Sequence, residues 1–87
     1  MKLLKFFKNG CSMCMMQTKE LENHPLSNDI KIEPINLSTD ENADNFIEKY
    51  LLRALPTMVL VDDDNKEINV FRGFTKSADI DNFINSL

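Results

Sequence analysis

Two cysteines, Cys11 and Cys14, lie three positions apart directly after a short apolar segment, and this arrangement constrains the fold more than any other feature of the chain. They are its only cysteines. Residues 3–7 (LLKFF) are apolar and aromatic-rich, which predicts a mostly buried strand, and Asn9 with Gly10 predicts a turn. If a helix begins at Cys11, both sulfur atoms come within reach of one disulfide.

The position of the pair indicates redox chemistry rather than a structural crosslink. A strand that delivers a Cys-X-X-Cys pair to the start of a helix is more often a redox site. A disulfide that closes so short a loop removes little conformational entropy from the unfolded chain, so it adds little stability. Zinc or an iron–sulfur cluster would need further ligands beyond the two cysteines, and His24 is the only other soft ligand in the sequence.

The rest of the chain alternates between helical and strand patterns. The first helix is predicted from Cys11 to about Asn23, because Pro25 disfavours helix at His24. A half-buried strand at 30–35 contains a proline, which pushes it to the sheet edge. Ser38 and Glu41 fit a capping box for a second helix. We expect that helix to pack through Ala43, Phe46, Ile47 and Tyr50.

The last third of the chain predicts a hairpin and a final helix. Residues 58–61 (MVLV) form a continuous apolar run, typical of a central strand, and 67–71 alternate after a polar turn. Thr75 or Ser77 is expected to cap the last helix, whose apolar stripe is Ile80, Phe83, Ile84 and Leu87. The predicted fold class is α/β, with the order β-α-β-α-β-β-α in a single domain over residues 1–87. Its four-stranded mixed sheet is flanked by helices.

Charge and hydropathy argue against nucleic acid and membrane as partners. The net charge is −4, with 14 acidic and 10 basic residues, whereas a nucleic-acid binder would present a basic face. No apolar stretch is long enough to span a membrane, and Lys5 and Lys8 interrupt the first apolar run too early for a signal peptide. We therefore expect a cytoplasmic monomer that binds neither nucleic acid nor membrane, in a compartment where the cysteine pair cycles.

Three segments together carry a family resemblance: residues 6–14 (FFKNGCSMC), 53–61 (RALPTMVLV) and 71–74 (FRGF). With the element order, they resemble the thioredoxin fold in its short form, over nearly the whole chain. The resemblance implies a cis peptide bond before Pro56, opposite the cysteines. It also implies a substrate groove bordered by Leu55, Pro56, Thr57 and Gly73.

The chain departs from ordinary thioredoxins in ways that relate it to glutaredoxins. Lys5 stands where thioredoxins usually keep a buried aspartate, and Lys8 is similar to a glutaredoxin lysine. Thr57 is thioredoxin-like, whereas Gly73 lacks the neighbouring glycine that helps glutaredoxins hold glutathione. The sequence is therefore a hybrid, similar to small glutaredoxin-like thioredoxins.

Each candidate side chain has a predicted role. Cys11 is the attacking thiol, because the helix start favours a thiolate, and Cys14 resolves the mixed disulfide. Lys8 is a candidate for tuning the thiolate by its charge. Lys5 is predicted to extend its amine to water, with burial beneath Cys14 as a charge or proton partner as the alternative. Met13, together with Met15 and Met16, is predicted to be adaptable apolar docking surface.

These features predict a thiol–disulfide oxidoreductase that reduces protein disulfides without a bound cofactor. The resemblance implies that electrons come from a flavin-dependent thioredoxin reductase or from glutathione. One alternative is a glutathione-dependent glutaredoxin, favoured by Lys8. The other is a metal chaperone that holds Cu(I) between Cys11 and Cys14.

Overall fold

A computed structural model describes residues 1–87 as four strands and three helices. In chain order they are β1 (Lys2–Phe7), α1 (Ser12–Asn23), β2 (Lys31–Asn36), α2 (Ala43–Tyr50), β3 (Thr57–Val61), β4 (Glu67–Arg72) and α3 (Ser77–Asn85). This is the order that the sequence patterns predict.

The four strands form one mixed sheet in the order β2-β1-β3-β4. β1 pairs with β2 in parallel, and β3 pairs antiparallel with both β1 and β4. β2 lies at the edge, as Pro34 predicts, because a residue without an N–H is tolerated there. The predicted α/β class and the mixed sheet are confirmed.

Alternation along β1 divides the apolar core between the two faces of the sheet. Leu4 and Phe6 pack toward α2, where the Phe6 ring lies 5.8 Å from that of Tyr50. Leu3 packs on the opposite face against residues of α1 and α3, including Leu21 and Ile80. β3 is buried along its whole length, as its continuous apolar run predicts. α1 and α3 are therefore held against the same face of the sheet, opposite α2.

The predicted start of α2 is wrong. The helix begins at Ala43 after Asn42, and no side chain caps it. Ser38 Oγ instead accepts a hydrogen bond from the Asn9 backbone N–H, so a tertiary contact occupies the hydroxyl that a capping box would use. Ile47, predicted to be core, is 39% exposed, because α2 buries only its other side against the sheet.

The predicted cap of α3 is also wrong. Lys76 is the residue before the helix, and neither Thr75 nor Ser77 caps it with its side chain. The Ser77 backbone N–H donates instead to a carboxylate oxygen of Glu20 on α1, at 2.9 Å. Leu87, predicted to lie on the apolar stripe, comes after the helix and is exposed.

No helix in the structure combines the length and the apolar character needed to cross a membrane.

Candidate redox site

The turn after β1 places the cysteine pair at the carboxyl end of the strand. Gly10 has φ +73°, a conformation that is open to glycine and strained for most other residues. Asn9 joins the turn to the end of β2 and to the segment that follows it. Its backbone N–H donates to Ser38 Oγ at 3.0 Å. Its side-chain oxygen accepts from Asn36 Nδ2 at 3.0 Å. These bonds fix the point from which α1 begins.

Cys11 is the residue that precedes α1, and it forms a disulfide with Cys14. Its Sγ also accepts a hydrogen bond from the Cys14 backbone N–H, at 3.1 Å. The first N–H groups of a helix have no partner within the helix, so this donor is free to stabilise negative charge on the sulfur after reduction. Cys11 is half-buried, whereas Cys14 is only 3% exposed.

Lys5 is buried, which corrects the prediction that its amine extends to water. Its residue is 8% exposed, and Nζ donates to Thr18 Oγ1 at 2.6 Å. The Thr18 hydroxyl in turn donates to the carbonyl of Cys14 at 3.2 Å. Desolvation by burial lowers the pKa of Lys5, and the nearby carboxylate of Glu22 opposes that shift. A polar partner on α1 thus replaces water at the amine.

Lys8 lies on the solvent side of the cysteines. It is exposed and lines a shallow pocket of about 260 Å³ together with Cys11, Cys14 and Met15. Lys5 is not part of this pocket. The two lysines therefore approach the cysteine pair from different sides, one from solvent and one from the interior.

The second and third sequence motifs meet at the same end of the sheet as the cysteines. Phe6 pairs with Thr57, so the turn after β1 and the start of β3 lie side by side. The Leu55–Pro56 peptide bond is cis, as the resemblance implies. The Gly73 backbone N–H donates to the Pro56 carbonyl at 2.9 Å, which joins the two segments directly.

The residues of the predicted groove differ in what they expose. Pro56 and Thr57 are buried, and the Thr57 hydroxyl donates to the Ala54 carbonyl, so that side chain is already occupied. Leu55 is half-buried against the α2 core. Gly73 is half-buried with φ +78°. Any contact that these residues offer a partner is therefore mainly through backbone groups.

Several apolar side chains on the helix that carries the cysteine pair, and one after β4, are exposed. Met13, Met15 and Met16 all lie on the first turns of α1 and are exposed, and Phe74 after β4 is exposed as well. A flexible thioether surface adapts to differently shaped partners.

Two residues of this region, Gln17 and Glu20, are not among the candidates that the sequence indicates. Gln17 is fully buried, and its side-chain amide pairs with both backbone groups of Thr75, at 2.9 and 2.8 Å. Glu20, one turn further along α1, accepts from the Ser77 N–H. A signal for Gln17 was present, because it lies three residues after Cys14 and four before Leu21, on the buried face of α1.

Solved structures resemble the chain over almost its whole length. A thioredoxin-fold protein from Helicobacter pylori is 25% identical, with a TM-score of 0.79, and the match covers 98% of this chain and 68% of that one. Thioredoxin-2 of a malaria parasite, described as a component of the protein secretion machinery, is 24% identical, with a TM-score of 0.73 and coverages of 98% and 81%.

A third example is an uncharacterized thioredoxin-like protein from Clostridium perfringens. It is 22% identical, with a TM-score of 0.78, and the match covers 99% of this chain and 69% of that one. No protein-family model and no curated protein matches the sequence.

One identification follows from the fold and from these structural likenesses. The element order and the mixed sheet support it, and so does the Cys pair at the start of α1. The chain is a small thioredoxin-fold protein with a Cys-X-X-Cys disulfide.

Proposed function

We propose that this protein is a thiol–disulfide oxidoreductase that reduces disulfides of protein substrates through Cys11 and Cys14. The observation that carries the proposal is the Cys11–Cys14 disulfide at the N-terminus of α1, where the Cys14 N–H points at Cys11 Sγ. Thioredoxin-fold neighbours and this disulfide support thiol–disulfide exchange in general. The direction of the reaction and the kind of substrate are our proposal.

The exchange begins from the reduced pair. The Cys11 thiolate attacks one sulfur of the substrate disulfide, which forms a mixed disulfide and releases the other substrate sulfur as a thiolate. Cys14 then loses its proton to solvent and attacks Cys11 Sγ. This step forms the Cys11–Cys14 disulfide and releases the second substrate sulfur, so two electrons have passed from the protein to the substrate.

The exposure of the two sulfurs supports these separate roles. Cys11 is the more accessible residue and lies at the helix start, whereas Cys14 is almost completely covered. An incoming disulfide therefore meets Cys11 first. Cys14 reacts with a sulfur that is already bonded to its neighbour, and this step requires no access for a large partner.

We propose that the substrate lies as an extended segment along the backbone of Leu55, Pro56 and Thr57, with Gly73 and Met13 on either side. Backbone hydrogen bonds to an extended peptide suit a site whose side chains are largely occupied. The exposed methionines beside the cysteines supply apolar contact that tolerates different sequences.

Lys8 and Lys5 are proposed to stabilise the Cys11 thiolate by their charge, Lys8 from the solvent side and Lys5 from the interior, where Thr18 links it to the Cys14 carbonyl. The charge of an ammonium group near a thiol favours the ionised form. Replacing either lysine with Met should slow alkylation of the reduced protein by iodoacetamide near neutral pH. An unchanged dependence of the alkylation rate on pH would contradict the role of that lysine.

The electron donor is proposed to be a flavin-dependent thioredoxin reductase, with glutathione as the alternative. The position of Lys8 in the pocket with both cysteines favours the glutaredoxin-like alternative. Incubating the oxidised protein with glutathione, and separately with NADPH and a thioredoxin reductase, distinguishes the two donors. The reagent that generates free thiols at the faster rate identifies the electron donor as a thioredoxin reductase or as glutathione.

The Cu(I) chaperone alternative remains a prediction. The structure holds no group of three or more His, Cys, Asp or Glu side chains in an arrangement that could bind a metal ion. A copper ion at this site would therefore rely on the two thiolates and on thioether sulfur such as that of Met13. Measuring copper in protein purified under reducing conditions tests this alternative.

The central test uses single cysteine variants with insulin as the disulfide substrate. Cys11→Ser should abolish reduction, since no exposed nucleophile remains. Cys14→Ser should trap a mixed disulfide on Cys11, because the second step is lost. Mass spectrometry of the trapped species locates the linkage. Reduction by the Cys11→Ser variant at the rate of the unmodified protein would overturn the proposed mechanism.

A further inference from the structure

The side chain of Gln17 links the helix that carries the cysteines to the segment between β4 and α3. Its Nε2 donates to the Thr75 carbonyl at 2.9 Å, and its Oε1 accepts from the Thr75 N–H at 2.8 Å. The residue is completely buried, so water does not compete for either bond. One amide thus satisfies both backbone groups of one residue, as a neighbouring strand would.

This contact belongs to a continuous series of hydrogen bonds. Thr75 Oγ1 donates to the Gly73 carbonyl at 3.1 Å, and the Gly73 N–H donates to the Pro56 carbonyl. From Cys14 the series therefore runs along α1 to Gln17, across to Thr75, and through Gly73 to Pro56. The segment on the far side of the cis proline is held to the same helix that holds the redox pair.

Glu20 makes a second connection at the next turn of α1. Its carboxylate accepts from the Ser77 N–H at 2.9 Å, and its carbonyl accepts from Ser77 Oγ at 3.5 Å. This contact fixes the start of α3, and the residue it holds is two positions further along the chain from Gly73 than Thr75 is. Gln17 is therefore the α1 side chain whose hydrogen bonds connect, through Thr75, to Gly73.

We propose that Gln17 is a positioning residue for protein substrates: by holding Thr75, it sets the separation between the Gly73–Phe74 backbone and the redox pair. The inference rests on the proposed disulfide-reductase function. Gln17 is proposed to affect the docking of a polypeptide substrate, whereas Cys11 and Cys14 carry out the exchange reaction. A small disulfide that needs only Cys11 should not depend on Gln17.

The amide is suited to this contact because it offers one donor and one acceptor. A carboxylate of the same shape would accept from the Thr75 N–H, but its second oxygen would face the Thr75 carbonyl and repel it. When protonated, the same carboxyl group would again donate to that carbonyl. Gln17→Glu therefore converts a permanent contact into one that depends on pH.

The charged and titratable neighbours of residue 17 determine the pH at which the introduced carboxyl group titrates. Glu20 contacts the same segment from the next turn of α1, and the exposed Lys76 lies between the two bonded residues. Cys14 is one turn earlier, and it is a disulfide sulfur in the oxidised protein. Burial and the negative charge of Glu20 both disfavour a second carboxylate, so we expect the introduced group to titrate between about pH 6 and pH 9.

The experiment measures insulin reduction by Gln17→Glu and by the unmodified protein across this pH range, and compares the ratio of their KM values. We expect the variant's KM to be raised roughly tenfold at the alkaline end, with kcat nearly unchanged, because a buried hydrogen bond is lost in the groove wall. The ratio should return toward one as the pH falls. Reduction of 5,5′-dithiobis(2-nitrobenzoic acid), a small disulfide, should be equal in both proteins at every pH.

Asn28→Asp is the matched control. Asn28 is a partly buried amide that bonds to Asp81 and Asn85 of α3, so the same chemical change weakens the fold outside the groove. Its KM for insulin should stay at that of the unmodified protein. If the KM ratio for Gln17→Glu does not depend on pH, or if Asn28→Asp shows the same increase, the positioning role is wrong. If the unmodified protein reduces the small disulfide but not insulin, the proposed protein-reductase function fails instead.

Discussion

Lys5 shows how far the environment of one side chain can depart from what its chemistry predicts. A lysine on a central strand is expected to extend its side chain so that the amine reaches solvent. Here α1 covers the strand, and Thr18 supplies an acceptor close enough to make that path unnecessary. The amine keeps one strong hydrogen bond, and the nearby carboxylate of Glu22 does not fully offset the cost of removing the amine from water.

Replacing Lys5 with Met should stabilise the protein near neutral pH. Burial lowers the pKa of Lys5 in the folded state, so the unfolded chain binds this proton more tightly. Stability of the unmodified protein therefore rises as the pH increases through the window between the lowered pKa and the ordinary value of 10.5. An apolar side chain of similar length does not titrate. Its advantage at pH 7 should be a few degrees in Tm, roughly 3 °C, and should shrink toward pH 10.

Thermal unfolding at several pH values tests this prediction, with Lys31→Met as the control. Lys31 is an exposed lysine on the edge strand, so its replacement should shift Tm little at any pH. A Lys5→Met variant that is less stable than the unmodified protein at pH 7 would show that the bond to Thr18 outweighs the desolvation.

At the scale of secondary-structure elements, the strands and the end of α1 follow from local patterns, and the starts of α2 and α3 do not. β3 is a continuous apolar run, and it is buried on both sides. α1 ends at Asn23, as Pro25 predicts. These features depend on residues within a few positions of each other, so the sequence alone is enough to predict them.

The two helix starts depend on side chains that are distant in sequence. Ser38 has the hydroxyl of a capping residue, but the turn after β1 binds it from 29 positions away. The first N–H of α3 is satisfied by Glu20, which is 57 positions earlier. A capping motif predicts a helix start only when no tertiary partner competes for the same groups.

At the scale of the whole molecule, Asp81 is a long-range connection outside the redox site. Its carboxylate accepts from the Ser27 N–H at 3.0 and 3.1 Å and from Asn28 Nδ2 at 3.2 Å, across 53 and 54 positions. Partial burial alone would raise the pKa of Asp81, but these hydrogen bonds lower it below its usual value. α3 is thereby attached to the segment that leads into β2.

Replacing Asp81 with Asn should destabilise the protein slightly, by about 0.5 kcal/mol above pH 5, because the carboxylate is largely solvated. A carboxyl group with a lowered folded-state pKa contributes stability above its unfolded value of 3.8, and this contribution is lost as the pH falls through the folded value. The difference between the variant and the unmodified protein should therefore diminish below about pH 4.

Urea unfolding between about pH 2.5 and pH 7 measures this difference, and Asp29→Asn serves as the control. Asp29 is exposed and lies close to the same segment. Its replacement should change the free energy of unfolding by less than Asp81→Asn does. If the Asp81→Asn difference stays constant down to the lowest pH, the hydrogen bonds to Ser27 and Asn28 do not stabilise the fold through the carboxylate charge.

The sequence by itself determined the element order, the mixed sheet and the location of the redox pair. Periodicity is a local property, and a cysteine pair between a strand and a helix is recognisable without tertiary information. The resemblance of three short segments also placed Pro56 and Gly73 near each other, and the bond between them in the structure agrees with it.

Only the tertiary structure decided how the side chains around the cysteines are used. Gln17 looks like an interruption in an apolar stripe until Thr75 is seen beside it, and Lys5 looks like a surface lysine until α1 covers it. The physical reason is the same in both cases. A buried polar group is stable only with a partner, and a partner that lies 13 or 58 positions away is found only after the chain has folded.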